Sequence, residues 1–166
     1  PLRSLILSVA ALILGFSMLL AGNGLQFVLL AQRGALEGFS VATMGWIAAA
    51  YFAGYGLGAL FCPRLVAAAG HIRSFAALAS IVSGVTLAHP LLVDPLVWAG
   101  LRLVSGFCFA GLYLVVESWL NDRATNEHRG RLLAFYGSFV FAGYAVGPLF
   151  AGFGSAAGYE LFVVAS

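Results

Sequence analysis

"GLGALFCPRLVAAAGHIRSFA", Gly56 to Ala76, is the stretch on which the fold of this chain turns. Long apolar runs lead into it and out of it. Between them sit Arg64, His71 and Arg73, framed by Pro63 and Gly70. A short basic break between two such runs is the pattern of a loop that holds two membrane-crossing helices at one face of a bilayer.

The pattern repeats outward from there. The chain is 62% hydrophobic and 8% charged, with a mean hydropathy of +1.01. A soluble domain would carry about 25% charged residues to cover its surface. A bilayer-crossing helix needs about 20 apolar residues, and five runs qualify, at 5–30, 42–66, 75–92, 96–120 and 132–153. They are continuous rather than alternating and exceed the roughly 10 residues of a barrel strand, which excludes a membrane β-barrel. The predicted class is all-α transmembrane. A sixth apolar run, 161–166, reaches only about 9 Å as helix, so residues 1–166 read as a truncated bundle of five spans and the start of a sixth. The breaks "AQRGALEGFS", "PRLVAAAGHIRS", "HPLLVDP" and "NDRATNEHRGR" are short and polar, and allow only tight connections between antiparallel neighbours.

Several function classes drop out. A net charge of +2 is too small for a nucleic-acid partner. Cys62 and Cys108 fall inside apolar runs without metal spacing and read as small core residues. The first apolar run is too long for the core of a cleaved signal peptide. No catalytic set, metal centre or cofactor site is expected. His71, His89 and His128 fall in breaks on different sides, with His89 in an outer loop beside Pro90. All eight basic residues are arginine. Arg3, Arg64, Arg73, Arg123, Arg129 and Arg131 fall on one side, Arg33 alone on the other, and Arg102 inside a span. Positive charge is retained on the cytoplasmic side, so the N-terminus of a multi-pass membrane protein is predicted to be cytoplasmic.

Polar groups inside the spans are the candidate functional residues. Arg102 stands about six residues into the fourth span, where a guanidinium is costly unless paired or facing water; snorkelling to the interface is the alternative. Asn23 and Gln26 lie near the outer end of the first span, and antiparallel packing would bring all three to one depth as a hydrogen-bonded lining of a cavity. Glu117 lies some fifteen residues beyond Arg102, about 22 Å along the axis. Its expected partners are Arg64, Arg73, Arg129 or Arg131 in an inner-face ion pair, with a proton-carrying carboxylate as the alternative. Asp122, Arg123, Glu127 and His128 read as a solvated loop, as does His71. Gly54 and Gly58 form a G-x-x-x-G close-approach motif, Gly106 continues it in the fourth span, and Gly143, Gly147 and Pro148 should bend or thin the fifth. Trp98, Trp119 and Tyr159 fit interface belts. Trp46 and Tyr51 are available to a ligand, to lipid or to helix packing.

In this order the pieces resemble the N-terminal six-helix half of a major facilitator superfamily transporter, over essentially the whole chain. That family carries a signature G-x(4)-[GP]-x(3)-D-R-x-G-R-[RK] between spans two and three. Gly58, Pro63, Gly70 and Arg73 match it or lie close, with His71 at a usually basic position. The aspartate and arginine positions hold Ala67 and Ala68, so the expected inner latch is incomplete. Arg102 and Gly106 are similar to the family's buried-arginine motif, which is tied to proton coupling. Ala134, Gly143, Gly147, Pro148, Ala151 and Gly152 occupy the places of its antiporter motif, with alanine twice for glycine. The branch resembled is one of largely uncharacterised bacterial inner-membrane permeases.

The resemblance implies a proton-coupled secondary transporter, symporter or antiporter, for an unidentified small molecule. Asn23, Gln26 and Arg102 would lie on the substrate or proton pathway. Gly58, Arg64, Gly70, Arg73, Glu117, Arg129 and Arg131 would form the inner gate and its ion pairs. A second bundle, from a C-terminal half or a second copy, would complete it. The competing expectation is a non-transporting subunit, derived from a permease fold, that packs into a larger membrane complex.

Overall fold

The computed structural model describes residues 2–123 and 129–166, and the side chains among them from residue 10 onward, Arg123 excepted. It contains α1 (Leu2–Leu36), α2 (Val41–Ala69), α3 (His71–Leu91), α4 (Pro95–Arg123), α5 (Arg129–Val146), a 3₁₀ segment (Gly147–Phe153) and α6 (Glu160–Ala165). No strand occurs among the described residues. Five stretches are long and apolar enough to cross a bilayer: Ala10–Leu36, Val41–Ala69, His71–Leu91, Pro95–Asp122 and Arg129–Phe153. The expected fold class and span count hold. The Arg3 and Arg123 side chains, and the loop residues Glu127 and His128, lie outside the description.

The breaks are shorter than their polarity implies. α1 continues through Ala31–Leu36, and α2 and α3 meet at Gly70 alone. Helical hydrogen bonding does not stop where the apolar run stops, because polar side chains are well tolerated on a helix end outside hydrocarbon. Gly70 has φ 83° and ψ 161°, a backbone region open essentially to glycine only, so one residue reverses the chain. Ser40 caps α2 by accepting a hydrogen bond from the Thr43 N–H at 3.1 Å. Asp94 caps α4 through the N–H groups of Leu96 and Val97, at 2.9 and 3.0 Å, and Pro95 takes the first helical position, where its missing N–H costs nothing.

Each peripheral helix buries one narrow stripe. On α2 the stripe is Ile47, Tyr51, Gly54, Gly58, Cys62 and Val66; on α3 it is Ser74, Leu78, Val82, Thr86 and His89. Spacings of three and four residues put each set on one face. α2 and α3 pack on α4, whereas α5, the 3₁₀ segment and α6 pack on α1. α1 and α4 are therefore the inner pair, each just over half buried.

Close helix approach is made by glycine. A Cβ at Gly54 would overlap the Leu103 carbonyl of α4, and one at Gly106 would overlap the Tyr51 carbonyl of α2. At Gly58 it would lie 2.7 Å from the Ala110 Cβ. The α1–α5 crossing repeats the device: a Cβ at Gly143 would lie 2.7 Å from the Ser17 carbonyl oxygen, and one at Gly147 would overlap that of Ala21. At Gly147 and Pro148 the α-helix tightens into 3₁₀, the thinning expected from a residue pair that lacks one N–H. Cys62 and Cys108 are free and buried.

Candidate functional site

Arg102 is seven residues into α4, about 10 Å from its start, and is 1% exposed. It does not snorkel. Its Nη2 donates to Gln26 Oε1 at 2.5 Å, and its guanidinium carbon lies 5.0 Å from the ring centroids of Phe27 and of Tyr51, within cation–π range. Its Nε and Nη1 are buried with no hydrogen-bond partner among the described residues. No carboxylate pairs with it there.

One turn earlier on α1, Asn23 Nδ2 donates to the hydroxyls of Tyr51 and Tyr144, at 3.1 and 3.2 Å. The spacing of three residues places Asn23 and Gln26 on one helix face, and Tyr51 joins them by touching both Asn23 and Arg102. The three polar residues singled out from the sequence thus meet at one depth, between α1, α2, α4 and α5.

His89 belongs to the same cluster, contrary to the expected outer loop. It lies in the last turns of α3, fully buried. Its Nδ1 is 3.2 Å from Gln26 Nε2 and 2.7 Å from the Val85 carbonyl oxygen. Pro90 does not end the helix before it, because proline forfeits only its own N–H bond and stands one residue from the C-terminus of α3. Trp98, expected in an interface belt, is also fully buried. Its indole N–H donates to the His89 carbonyl at 3.0 Å, and its ring packs edge-on against Phe39. Indole burial is stable where the N–H finds such an acceptor. Trp46 instead is 77% exposed.

A cavity of about 190 Å³ opens beside the cluster, between Phe27, Leu30 and Ala31 of α1 and Met44, Ile47 and Ala48 of α2, with Arg102 in its wall. Its lining is apolar apart from the guanidinium.

At the other end the inner-face ion pair of Glu117 is absent: Glu117 is exposed and pairs with none of Arg64, Arg73, Arg129 or Arg131. These arginines are exposed at the helix ends, while Glu117 faces the tyrosines of neighbouring helices. The buried Tyr136 hydroxyl has no hydrogen-bond partner among the described residues. His71 replaces the expected pairing: its Nε2 is 3.1 Å from Ser118 Oγ and 4.0 Å from Asp122 Oδ2. It ties the start of α3 to the end of α4 rather than lying in a solvated loop. Arg33, at the opposite end, pairs with Glu37 at 2.8 Å and donates to the carbonyls of Ala156 and Ala157. No group of metal-ligating side chains occurs among the described residues.

Comparison with known proteins agrees with this architecture. The family profile described as the Major Facilitator Superfamily matches residues 5–165. An uncharacterized MFS-type transporter of Yersinia pestis (strain Pestoides F) is 31% identical over 109 residues, 66% of this chain and 28% of that protein. One of Enterobacter sp. (strain 638) is 32% identical over 106 residues, 64% of this chain and 28% of that protein. One of Salmonella arizonae is 31% identical over 106 residues, with the same coverage. The chain spans little more than a quarter of the length of these relatives. No solved structure matches it.

Proposed function

Because this chain belongs to the major facilitator superfamily, we propose that it supplies the N-terminal bundle of a secondary transporter that moves a small molecule by alternating access, coupled to protons, across a bacterial inner membrane. In such transporters the site lies near the midplane, between two bundles that rock about it. The second bundle comes from the rest of a longer chain or from a second copy.

The observation that carries this reading is the buried guanidinium of Arg102 with a glutamine and two aromatic faces around it and no carboxylate paired with it among the described residues. Burying an ion costs several kcal/mol unless it is compensated, and a purely structural core would not need one. In a transporter the charge serves a charged or proton-carrying cargo. Asn23 and Gln26 fix the surrounding side chains, and His89 is the titratable group in contact with Gln26. A proton arriving there would add a second positive charge near Arg102, linking protonation to the charge of the site.

Gly58 holds α2 against α4; at the inner end Gly70 forms the α2–α3 corner, and Arg64, Arg73, Arg129 and Arg131 present exposed charge. Glu117, which makes no ion pair with a described residue, would pair across the gate with the second bundle. With Ala67 in place of the signature's aspartate, this pair and the His71–Asp122 contact take over the latch.

The test is substrate-driven proton movement in inside-out vesicles that hold the full-length protein, read by dequenching of a ΔpH-sensitive dye across a panel of small anions, cations and neutral solutes. At least one solute should dissipate the gradient, and Arg102→Ala should abolish the response. Solute movement that persists unchanged with a protonophore would remove proton coupling. No movement of any solute, with a fixed protein partner at constant stoichiometry, would favour the subunit reading.

A further inference from the structure

Three observations beside the buried cluster bear on what the site takes. Arg102 has two buried nitrogens, Nε and Nη1, without a partner among the described residues. The same side chain forms part of the wall of the cavity between α1 and α2. Every other residue of that wall is apolar: Phe27, Leu30 and Ala31 face Met44, Ile47 and Ala48. We infer that this cavity binds a small monocarboxylate with an apolar body, its carboxylate accepting from an unpaired nitrogen of Arg102 and its tail lying against Leu30, Met44 and Ile47. The assignment rests on the transport reading and names its substrate class.

The chemistry follows from what the wall can and cannot satisfy. A guanidinium donates a charge-assisted hydrogen bond to a carboxylate, and the charges of ligand and protein then offset each other's burial. A volume of about 190 Å³ equals that of about six waters, each occupying ~30 Å³, so it accepts an organic anion and not merely an inorganic ion. A dicarboxylate would leave its second charge against Phe27, Leu30 and Ile47, where nothing solvates it. An organic cation would meet Arg102 with like charge, and no carboxylate among the lining residues to receive it. A neutral amide of the same shape would leave the guanidinium charge uncompensated.

The probe is benzoate, compared with its neutral isostere benzamide and with succinate. The full-length protein is purified in detergent and each compound titrated calorimetrically. Benzoate should bind saturably, with benzamide and succinate at least tenfold weaker, as the loss of charge-assisted hydrogen bonds implies. Arg102→Gln should remove the preference for benzoate over benzamide. Ala31→Trp is an independent variant: Ala31 is exposed on the cavity wall, so a bulky side chain there fills the cavity while every residue of the polar cluster is kept. It should weaken benzoate at least tenfold while thermal unfolding stays within a few degrees. Equal affinity for benzoate and benzamide, or no benzoate binding by a folded protein, overturns the assignment. The transport reading fails separately. If a cation or a neutral solute drives proton movement in the vesicle assay while benzoate does not bind, that reading stands and the monocarboxylate assignment falls.

Discussion

A guanidinium 1% exposed with a side-chain amide as its hydrogen-bond partner leaves a conflict at the next residue. Arg102 donates, so Gln26 must present its oxygen there and its N–H to His89 Nδ1. The Val85 carbonyl, 2.7 Å from that same nitrogen, calls for a donor. One nitrogen cannot accept from Gln26 and donate to Val85. Gln26→Glu removes the conflict: a carboxylate accepts from Arg102 and from a protonated Nδ1 together. We expect this variant of the full-length protein to be more stable by about 1–3 kcal/mol, the scale of hydrogen bonds to charged groups, and to lose transport and benzoate binding at least tenfold, because Arg102 is then neutralised from within. Thermal unfolding and the vesicle assay check the two halves; a destabilised variant would refute the account of the network. His89→Leu should instead cost about 1–3 kcal/mol, since it strands the buried Gln26 amide. Asn23, Gln26 and Arg102 were legible in the sequence because a polar residue within an apolar run stands out by composition. His89 was not, since its neighbour Pro90 and a following turn give it the signature of a loop. Trp98 was misread for a related reason: its position near a helix end does not reveal that a backbone carbonyl waits for its indole.

Between helices the contrast among glycines gives a sharper test than any one of them. Gly54 and Gly56 stand on the same helix, two residues apart. A Cβ at Gly54 would overlap the Leu103 carbonyl, whereas one at Gly56 would meet nothing within 4 Å. Gly56→Ala is therefore expected to be neutral or stabilising by up to about 1 kcal/mol, from helix propensity alone. Gly54→Ala must push α2 from α4, at a cost of about 1–3 kcal/mol or more for overpacking a fitted contact. Gly147→Ala, which would overlap the Ala21 carbonyl, should behave like Gly54→Ala. Unfolding midpoints of the three variants check this, and equal midpoints for Gly54→Ala and Gly56→Ala would refute the close crossing. The spans were readable because hydrocarbon demands long apolar runs. Their ends were not, because helices such as α1 run past the hydrocarbon on ordinary backbone hydrogen bonds. The missing Glu117 ion pair has a similar origin: distance along one helix says how far the carboxylate lies from the loops but not which way it faces.

Over the whole molecule the arginines are sorted by end. Arg64, Arg73, Arg129 and Arg131 lie at the end where α2 meets α3 and α5 begins, and Arg33 lies at the opposite end. Arg33 is also committed there, to Glu37 and to the Ala156 and Ala157 carbonyls, so its positive charge is largely spent on local partners. The four arginines at the other end are exposed and form no ion pair with a described residue. Orientation follows the count of arginines and lysines near the helix ends rather than their net charge, and that count is four against one among the described side chains at these ends. Ile72 and Leu92 mark the two ends, at 69% and 53% exposed, and a cysteine at either leaves every arginine in place. In a Cys62→Ala, Cys108→Ala background of the full-length protein, Leu92→Cys should react with a membrane-impermeant maleimide on intact cells. Ile72→Cys should react only after the membrane is opened. The reverse pattern would place the Gly70 corner outside and overturn the proposed topology, and with it the assignment of Glu117 and the exposed arginines to an inner gate. Labelling of both sites on intact cells would mean that the two ends do not lie across a membrane from each other, which the 21-residue length of α3, about 31 Å at 1.5 Å per residue, does not allow for a helix that spans.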